Sequence, residues 1–283
     1  MRETLARLAR DVTEASRALG EAMDGEQVHT LRVALRRLRA WLHLLRPLAP
    51  DAADAADPPL AELGGRFRAV RDFDVLHERL GDLLAGDEPA RQVLQPLLAR
   101  LGTEREAALA RAIADASGAS ALADVRALAR RRIRHPLAAE PAHRVLPDLL
   151  LPVLAQLVPH PAWWADDATT EAVHDLRKKV KRLRYMFELA APRFPSALVA
   201  RAAELRALQH AIGDVRDLAV VARAGRVRQA EVPPVLAGLA ERLGALRDDA
   251  EARWRDARDR LRGEAWRRET QALLLRPLRV TSG

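Results

Sequence analysis

Residues 173–188 read VHDLRKKVKRLRYMFE, and this stretch decides the fold. At ~100° per residue it divides into two neighbouring faces. Leu176, Val180, Leu183 and Phe187 fall within ~60° of one another and form an apolar stripe. His174, Arg177, Lys181 and Arg184 fall in an adjacent arc of ~80°. Cations in a straight ridge beside the packing face sit at the lip of a groove between helices. That is the outline of an anion site.

The stretch occurs twice. Residues 28–39 read VHTLRVALRRLR, and a shift of 145 residues lays them on 173–184. Val28, His29, Leu31, Arg32, Arg37, Leu38 and Arg39 match identically, and Arg36 falls on Lys181. The same shift places Val70, Arg71, Asp72 and Val75 on Val215, Arg216, Asp217 and Val220. One register kept over two separate motifs reads as an internal duplication.

The rest of the chain has the composition of packed helices. Of 283 residues 49% are apolar, 30% are charged and only 4% are aromatic, and Ala, Leu and Arg recur at helical spacing. With no Cys, disulfides and thiolate metal sites are excluded. Residues 1–19 carry no signal-type apolar core. The most apolar run, 149–158, contains Pro152 and is only ten residues long, too short to span a bilayer. A cytoplasmic protein is expected.

Charge is distributed unevenly. Residues 27–48 hold five Arg and no acid, a local +5. Residues 172–191 hold six Lys or Arg against Asp175 and Glu188, a local +4. The whole chain carries +8, so everything outside these segments nets −1. Basicity focused on two matching helices suits a polyanionic partner.

Spacing and breakers predict helices over 2–19, 26–46, 60–84, 88–117 and 120–134, with 50–59 (PDAADAADPP) as a loop. The proline-bearing link 136–144 divides the chain into halves 1–140 and 141–283. Helices over 145–158, 170–191, 196–225, 234–262 and 264–276 follow, Thr169-Thr170 capping the second of them. The long fourth helices share Leu101-Gly102 to Arg105 and Leu243-Gly244 to Arg247. The expected fold is all-α: two antiparallel four-helix bundles with extra helices, related by a pseudo-two-fold axis and facing across a basic groove or pore.

Arg presents a planar fork to two phosphate oxygens and Lys a point charge. From His29 to Arg39 the ridge is ~15 Å long, which suits a repeated anion better than a single phosphate. Some of these arginines could instead pair with carboxylates of neighbouring helices, as is expected of the off-ridge Arg37 and Arg182. The first basic helix contains no acid after Glu26, so its cations have no partner within their own helix. His29 and His174 head their ridges, either touching ligand or bracing it. Asp72 and Asp217 are expected as braces for Arg71, Arg216 or a His. The other histidines (His43, His77, His135, His143, His160 and His210) show no metal-ligand spacing, and no metal or cofactor is expected. No GxxxxGK[ST], GxGxxG or HExxH motif and no compact carboxylate cluster for Mg²⁺ is present, so catalysis is not expected.

The two basic stretches resemble the signature helices of the CHAD family, the conserved-histidine α-helical domain. The His-x-x-Arg start, the basic Arg-Leu-Arg core and the following Tyr185 and Glu188 carry the likeness. Residues 69–75 (AVRDFDV) and 209–217 (QHAIGDVRD) are similar to segments that follow them in the family. The resemblance covers nearly the whole chain. It implies two helical bundles across a basic pore or groove, binding of inorganic polyphosphate, and no catalysis. It assigns ligand-lining roles to His29, Arg32, Arg36 and Arg39 with His174, Arg177, Lys181 and Arg184, and secondary roles to Arg71 and Arg216. This chain departs from the pattern at Phe67-Arg68, where Leu-Gly is usual, and at Arg216, where Asn is common. The ExExK strand of the triphosphate-tunnel hydrolases fused to many relatives is absent, so a stand-alone member is expected, with association with polyphosphate granules as a corollary.

Two other readings remain open on the sequence. A nucleic-acid binder would also use basic helices, but only Tyr185 lies near a ridge to stack a base. A purely structural scaffold leaves the concentrated charge unexplained. Arg130–Arg134 forms a further basic cluster with no assigned role.

Overall fold

Buried leucines at helical spacing set the architecture of the computed structural model. It describes residues 1–22, 25–114, 119–130, 135–165, 169–226 and 237–278. Among these residues it contains eleven α-helices and no strand. In the first half they are α1 (Arg2–Ala22), α2 (Gly25–Leu45), α3 (Pro50–Arg66), α4 (Arg68–Leu83), α5 (Glu88–Ala114) and α6 (Ala119–Arg130). In the second half they are α7 (Ala142–Leu157), α8 (Thr170–Ala190), α9 (Ala197–Arg226), α10 (Ala237–Leu261) and α11 (Glu264–Leu274).

Each half closes a ring of four helices. In the first, α1 packs on α2, α2 on α3, α3 on α6 and α6 on α1. In the second, α7 packs on α8, α8 on α9, α9 on α11 and α11 on α7. The basic helices α2 and α8 pack against each other and join the rings. Their apolar stripes (Leu31, Leu35, Leu38 and Leu42 of α2; Leu176, Val180, Leu183 and Phe187 of α8) are fully or almost fully buried. Each such side chain contributes ~1.5–3 kcal/mol by leaving water. Buried residues of both halves form one continuous core. A second, smaller core of Leu80, Leu83, Leu84, Leu101, Val221 and Leu239 ties α4 and α5 to α9 and α10.

Two expectations need correction here. Residues 50–59 are not a loop but the start of α3. Pro50 occupies the first turn, where a missing N–H costs nothing. Ala53, Ala56 and Leu60 recur at helical spacing and are buried. Pro58 and Pro59 lie inside the helix and withdraw N–H donors from the carbonyls of Asp54 and Ala55. Both of those residues are exposed, so water can serve their carbonyls. The predicted helix 60–84 is also broken, at Phe67 (φ −85°, ψ 10°). Gly64-Gly65 weaken the chain just before this point, and the Phe67 side chain anchors the break in the core. In the second half α9 runs unbroken through the matching region.

Other boundaries agree to within a few residues. Thr169 caps α8 by accepting the Ala172 N–H at 3.2 Å. The link at 136–144 forms a short 3₁₀ turn over Pro136–Ala139 before α7. Arg131, Arg132 and Arg134 of the basic cluster lie outside the described residues.

Candidate anion-binding site

The ridge is built where α2 crosses α8, and its centre is Lys181. The ammonium of Lys181 is driven down to about 7, first by burial and then by Arg36, Arg177, Arg32 and Arg39. Three of those four cations belong to α2, so the two ridges converge on one seam. Arg36 in turn acts on Arg177. Among the described residues neither Lys181 nor Arg36 has a protein carboxylate within ion-pair distance. That is an unusual arrangement for like charges held together, since opposing carboxylates normally accompany half-buried cations.

Arg32 and Arg177, which correspond under the 145-residue shift, are braced in parallel ways. Arg32 Nη1 donates to the Gly64 carbonyl at 2.7 Å. Gly64 lies in the last turn of α3, where carbonyls have lost their helical donors and the helix dipole favours a cation. The break at Phe67 therefore makes an acceptor for the ridge. Arg177 lies against Gly213, where an added Cβ would come within 3.2 Å of Nη2. Burial lowers both guanidinium pKa values, Arg32 to about 10, and Asp72 and Asp217 respectively oppose the shift. Both groups therefore stay cationic at neutral pH. The expected braces thus act on Arg32 and Arg177. Asp217 itself is raised by burial against the pull of Arg177. The Nε atoms of Arg32 and Arg177 are buried without a hydrogen-bond partner. Unmet donors of this kind at matching positions call for an acceptor.

Both ridge histidines are pushed below the ordinary imidazole range. For His29 the causes are burial, then Arg71, Arg36 and Arg32; for His174 they are burial, then Lys178, Arg216, Arg177 and Lys181. Both are neutral at pH 7, and both stand among the same cations as the ridge. Among the described residues Arg71 pairs with Glu78, at a loose 3.9 Å. Arg216 is exposed beside His174.

Arg39 and Arg184, the matched C-terminal ends of the ridges, differ from expectation and from each other. Arg39 makes a two-point pair with Asp57, Nε to Oδ1 at 2.7 Å and Nη2 to Oδ2 at 3.0 Å, while still acting on Lys181. Arg184 is only 7% exposed. Its Nη1 donates to Glu188 at 2.8 Å, its Nε donates to Gln209 at 3.1 Å, and its guanidinium lies 4.0 Å over the Tyr185 ring. The structure therefore places Arg184 in the interior of the second ring, not on the open seam. Phe187 continues the apolar stripe there, and Glu188 one turn on supplies the partner that drew the arginine inward.

Asp57 was missed because residues 50–59 read as a loop. Asp51, Asp54 and Asp57 repeat every three residues, which sets an acidic stripe of α3 against the basic stripe of α2. Arg46 pairs with Asp54 at 2.8 Å in the same way. Burial pushes the Asp57 carboxyl up, but the hydrogen bonds and charge of Arg39 outweigh this and hold it below the usual carboxylate range. A depressed pKa contributes stability above the unfolded-state value and loses it as pH falls through the folded one. Asp57→Asn should therefore lower Tm at pH 7 and lose its effect below about pH 4. Thermal melts of both proteins from pH 3 to 7 check this; a pH-independent difference would mean the pair adds nothing electrostatic.

Carboxylates also bridge the halves nearby. Arg79 of α4 pairs with Asp214 of α9, which also meets Arg253 of α10 at 3.4 Å. A separate open cleft between α7 and α8 is lined by Gln156, His160, Glu171, Asp175 and Lys179. It contains none of the ridge residues. His160 there accepts the Ala162 N–H and is 3.1 Å from Asp175, which ties the turn after α7 to α8. Among the described residues no group of His, Asp or Glu could hold a metal ion, and no helix is long and apolar enough to cross a membrane.

A family model described as CHAD domain matches residues 2–226. No curated protein matches the chain. Among solved structures, PptA from Streptomyces chartreusis superposes with a TM-score of 0.64 at 21% identity, covering 96% of this chain and 99% of that one. The crystal structure of the CHAD domain from the plant Ricinus communis superposes with a TM-score of 0.60 at 23% identity, covering 98% and 91%. The family match stops near the end of α9, whereas both superpositions cover nearly the whole chain, so α10 and α11 belong to the shared architecture.

Proposed function

Since the chain belongs to the CHAD family, we propose that it binds inorganic polyphosphate along the α2–α8 seam and performs no chemistry on it. One observation carries the reading: Arg36 of α2 acts on Lys181 of α8 across the seam, and among the described residues neither has a carboxylate within ion-pair distance. Holding like charges in a half-buried seam is unfavourable in the free protein. A chain of phosphates supplies the missing negative charge at each step, and acceptors for the donors of Arg32 and Arg177. Arg71 and Arg216 extend the cationic surface on one side, where the neutral His29 and His174 add hydrogen-bonding groups, and Arg39 extends it on the other. Attachment to polyphosphate granules follows if several phosphates of a long chain are engaged at once.

The nucleic-acid reading is weaker. Tyr185, the aromatic side chain that the sequence sets beside the ridge, is 5% exposed and covered by Arg184, so it offers no free face to stack a base. Labelled long-chain polyphosphate should be displaced by unlabelled polyphosphate but not by duplex DNA or single-stranded RNA at matched phosphate. Its affinity should also fall linearly on a log–log plot against salt, as counterions are released. Equal displacement by all three polymers would put the nucleic-acid reading first.

A further inference from the structure

Of Arg32, Arg36, Arg39, Arg177 and Lys181, which meet along the seam, Arg39 alone has a carboxylate within ion-pair distance among the described residues. Asp57 of α3 grips it at two points, Nε to Oδ1 at 2.7 Å and Nη2 to Oδ2 at 3.0 Å. That is the fork geometry in which a guanidinium takes two phosphate oxygens. The pair is not sealed, since the Arg39 side chain keeps 36% of its surface exposed and that of Asp57 keeps 35%. The matched arginine of the second half is neutralised differently. Arg184 takes Glu188 from the next turn of its own helix, at 2.8 Å, and is buried. Under the 145-residue shift His43 stands where Glu188 does, and Ala202 stands where Asp57 does. The first half therefore carries its carboxylate on a neighbouring helix, at the open edge where a ligand arrives.

We propose that Asp57 competes with the polyanion for Arg39, and so limits how far along the seam a phosphate chain is held. The inference rests on the polyphosphate reading and adds the residue that bounds its track. A carboxylate and a phosphate cannot both take the same edge of one guanidinium, since each needs the Nε and Nη2 protons. A phosphate seated at Arg39 must displace Asp57, which then stays close by as an unpaired like charge. A phosphate that leaves the pair intact forgoes two charge-assisted hydrogen bonds and still lies near the carboxylate. Either way Asp57 subtracts from affinity at this end of the seam. In the free protein the same carboxylate steadies an arginine that would otherwise add to the like charges of the ridge. Asp57 thus stabilises the fold and opposes the ligand.

The test titrates the full chain with long-chain polyphosphate at neutral pH over a range of salt, at a temperature well below the melts. Asp57→Asn should bind about tenfold more tightly than the parent, the like charge beside the ligand being gone. Its salt dependence should be steeper by roughly one on the log–log plot, as Arg39 takes up a further phosphate. Its Tm should fall at the same time, so binding and stability move in opposite directions, which loss of a merely structural pair would not produce. Asp57→Ser, which cannot hold Arg39 through an amide oxygen, should show the same gain. Asp54→Asn changes the net charge equally, one turn earlier on α3, where Asp54 meets Arg46 at 2.8 Å, off the ridge. Its affinity should stay within about twofold of the parent's. An Asp57→Asn protein with the parent's affinity and slope would overturn the competition and leave the polyphosphate reading standing, and so would one that binds more weakly. An equal gain in Asp54→Asn would also overturn it, since net charge alone would then be responsible. Absence of binding by parent and variants alike would overturn the polyphosphate reading itself.

Discussion

Exchanging Arg36 and Lys181 together for glutamate should abolish polyphosphate binding at near-physiological salt, with a loss of at least a thousandfold. Two charge-assisted contacts at ~2 kcal/mol each already amount to about that factor. Reversal of both charges adds repulsion between the new carboxylates and the phosphates. The pair is also the cleanest to change. Arg32, Arg39 and Arg177 have structural neighbours in Gly64, Asp57 and Gly213, so their loss would mix folding with binding. Among the described residues Arg36 and Lys181 have no carboxylate partner to lose, and glutamate there would meet Arg32, Arg39 and Arg177 around the seam. Helical content should be unchanged and Tm equal to or above the parent's, as expected where a binding site is kept at some cost in stability. Circular dichroism, a thermal melt and the polyphosphate titration together decide it. A variant that binds as the parent does would move the site off the seam.

How far the sequence could be read depended on what each residue had to meet. The ridges on α2 and α8 were legible because a helical face needs only its own spacing, and the repeat marked both faces at once. The start of α3 was not legible. Proline and aspartate are loop residues by propensity, and only burial of Ala53, Ala56 and Leu60 against the core makes that segment helical. Tertiary packing overrode local preference there. The break at Phe67 had the same character. Gly64-Gly65 permitted it, but the benefit appears only in three dimensions, where Arg32 reaches the Gly64 carbonyl. Gly213, by contrast, could be found in QHAIGDVRD, although its function as a floor for Arg177 could not. Spacing also placed Arg184 with Lys181 on one arc. Whether a long side chain at the edge of that arc turns outward or inward depends on partners from other helices, here Gln209 of α9, which accepts from Arg184, and Arg206 of α9, which holds Glu188.

That difference is open to a direct measurement. Arg184→Met should destabilise the protein by ~3 kcal/mol while changing polyphosphate affinity by less than about threefold. Removing one member of a buried ion pair leaves its partner uncompensated and costs ~3–5 kcal/mol. The value should lie at the low end, because Arg206 still reaches Glu188 at 2.6 Å. The methionine also retains some contact with Tyr185, whereas the cation–π interaction at 4.0 Å is lost. For a chain of this size the change corresponds to a fall in Tm of roughly 6–12 °C. Glu188→Gln with Arg184→Met should recover part of the loss, since no half-compensated carboxylate then remains, a recovery that a ligand-contact role would not produce. The matched residue Arg39 behaves differently: it faces Lys181 as well as Asp57, so Arg39→Met should weaken binding and stability together. If Arg184→Met instead lost tenfold or more in affinity with an unchanged melt, Arg184 would be a ligand group. The second ridge would then extend one turn further than the geometry places it.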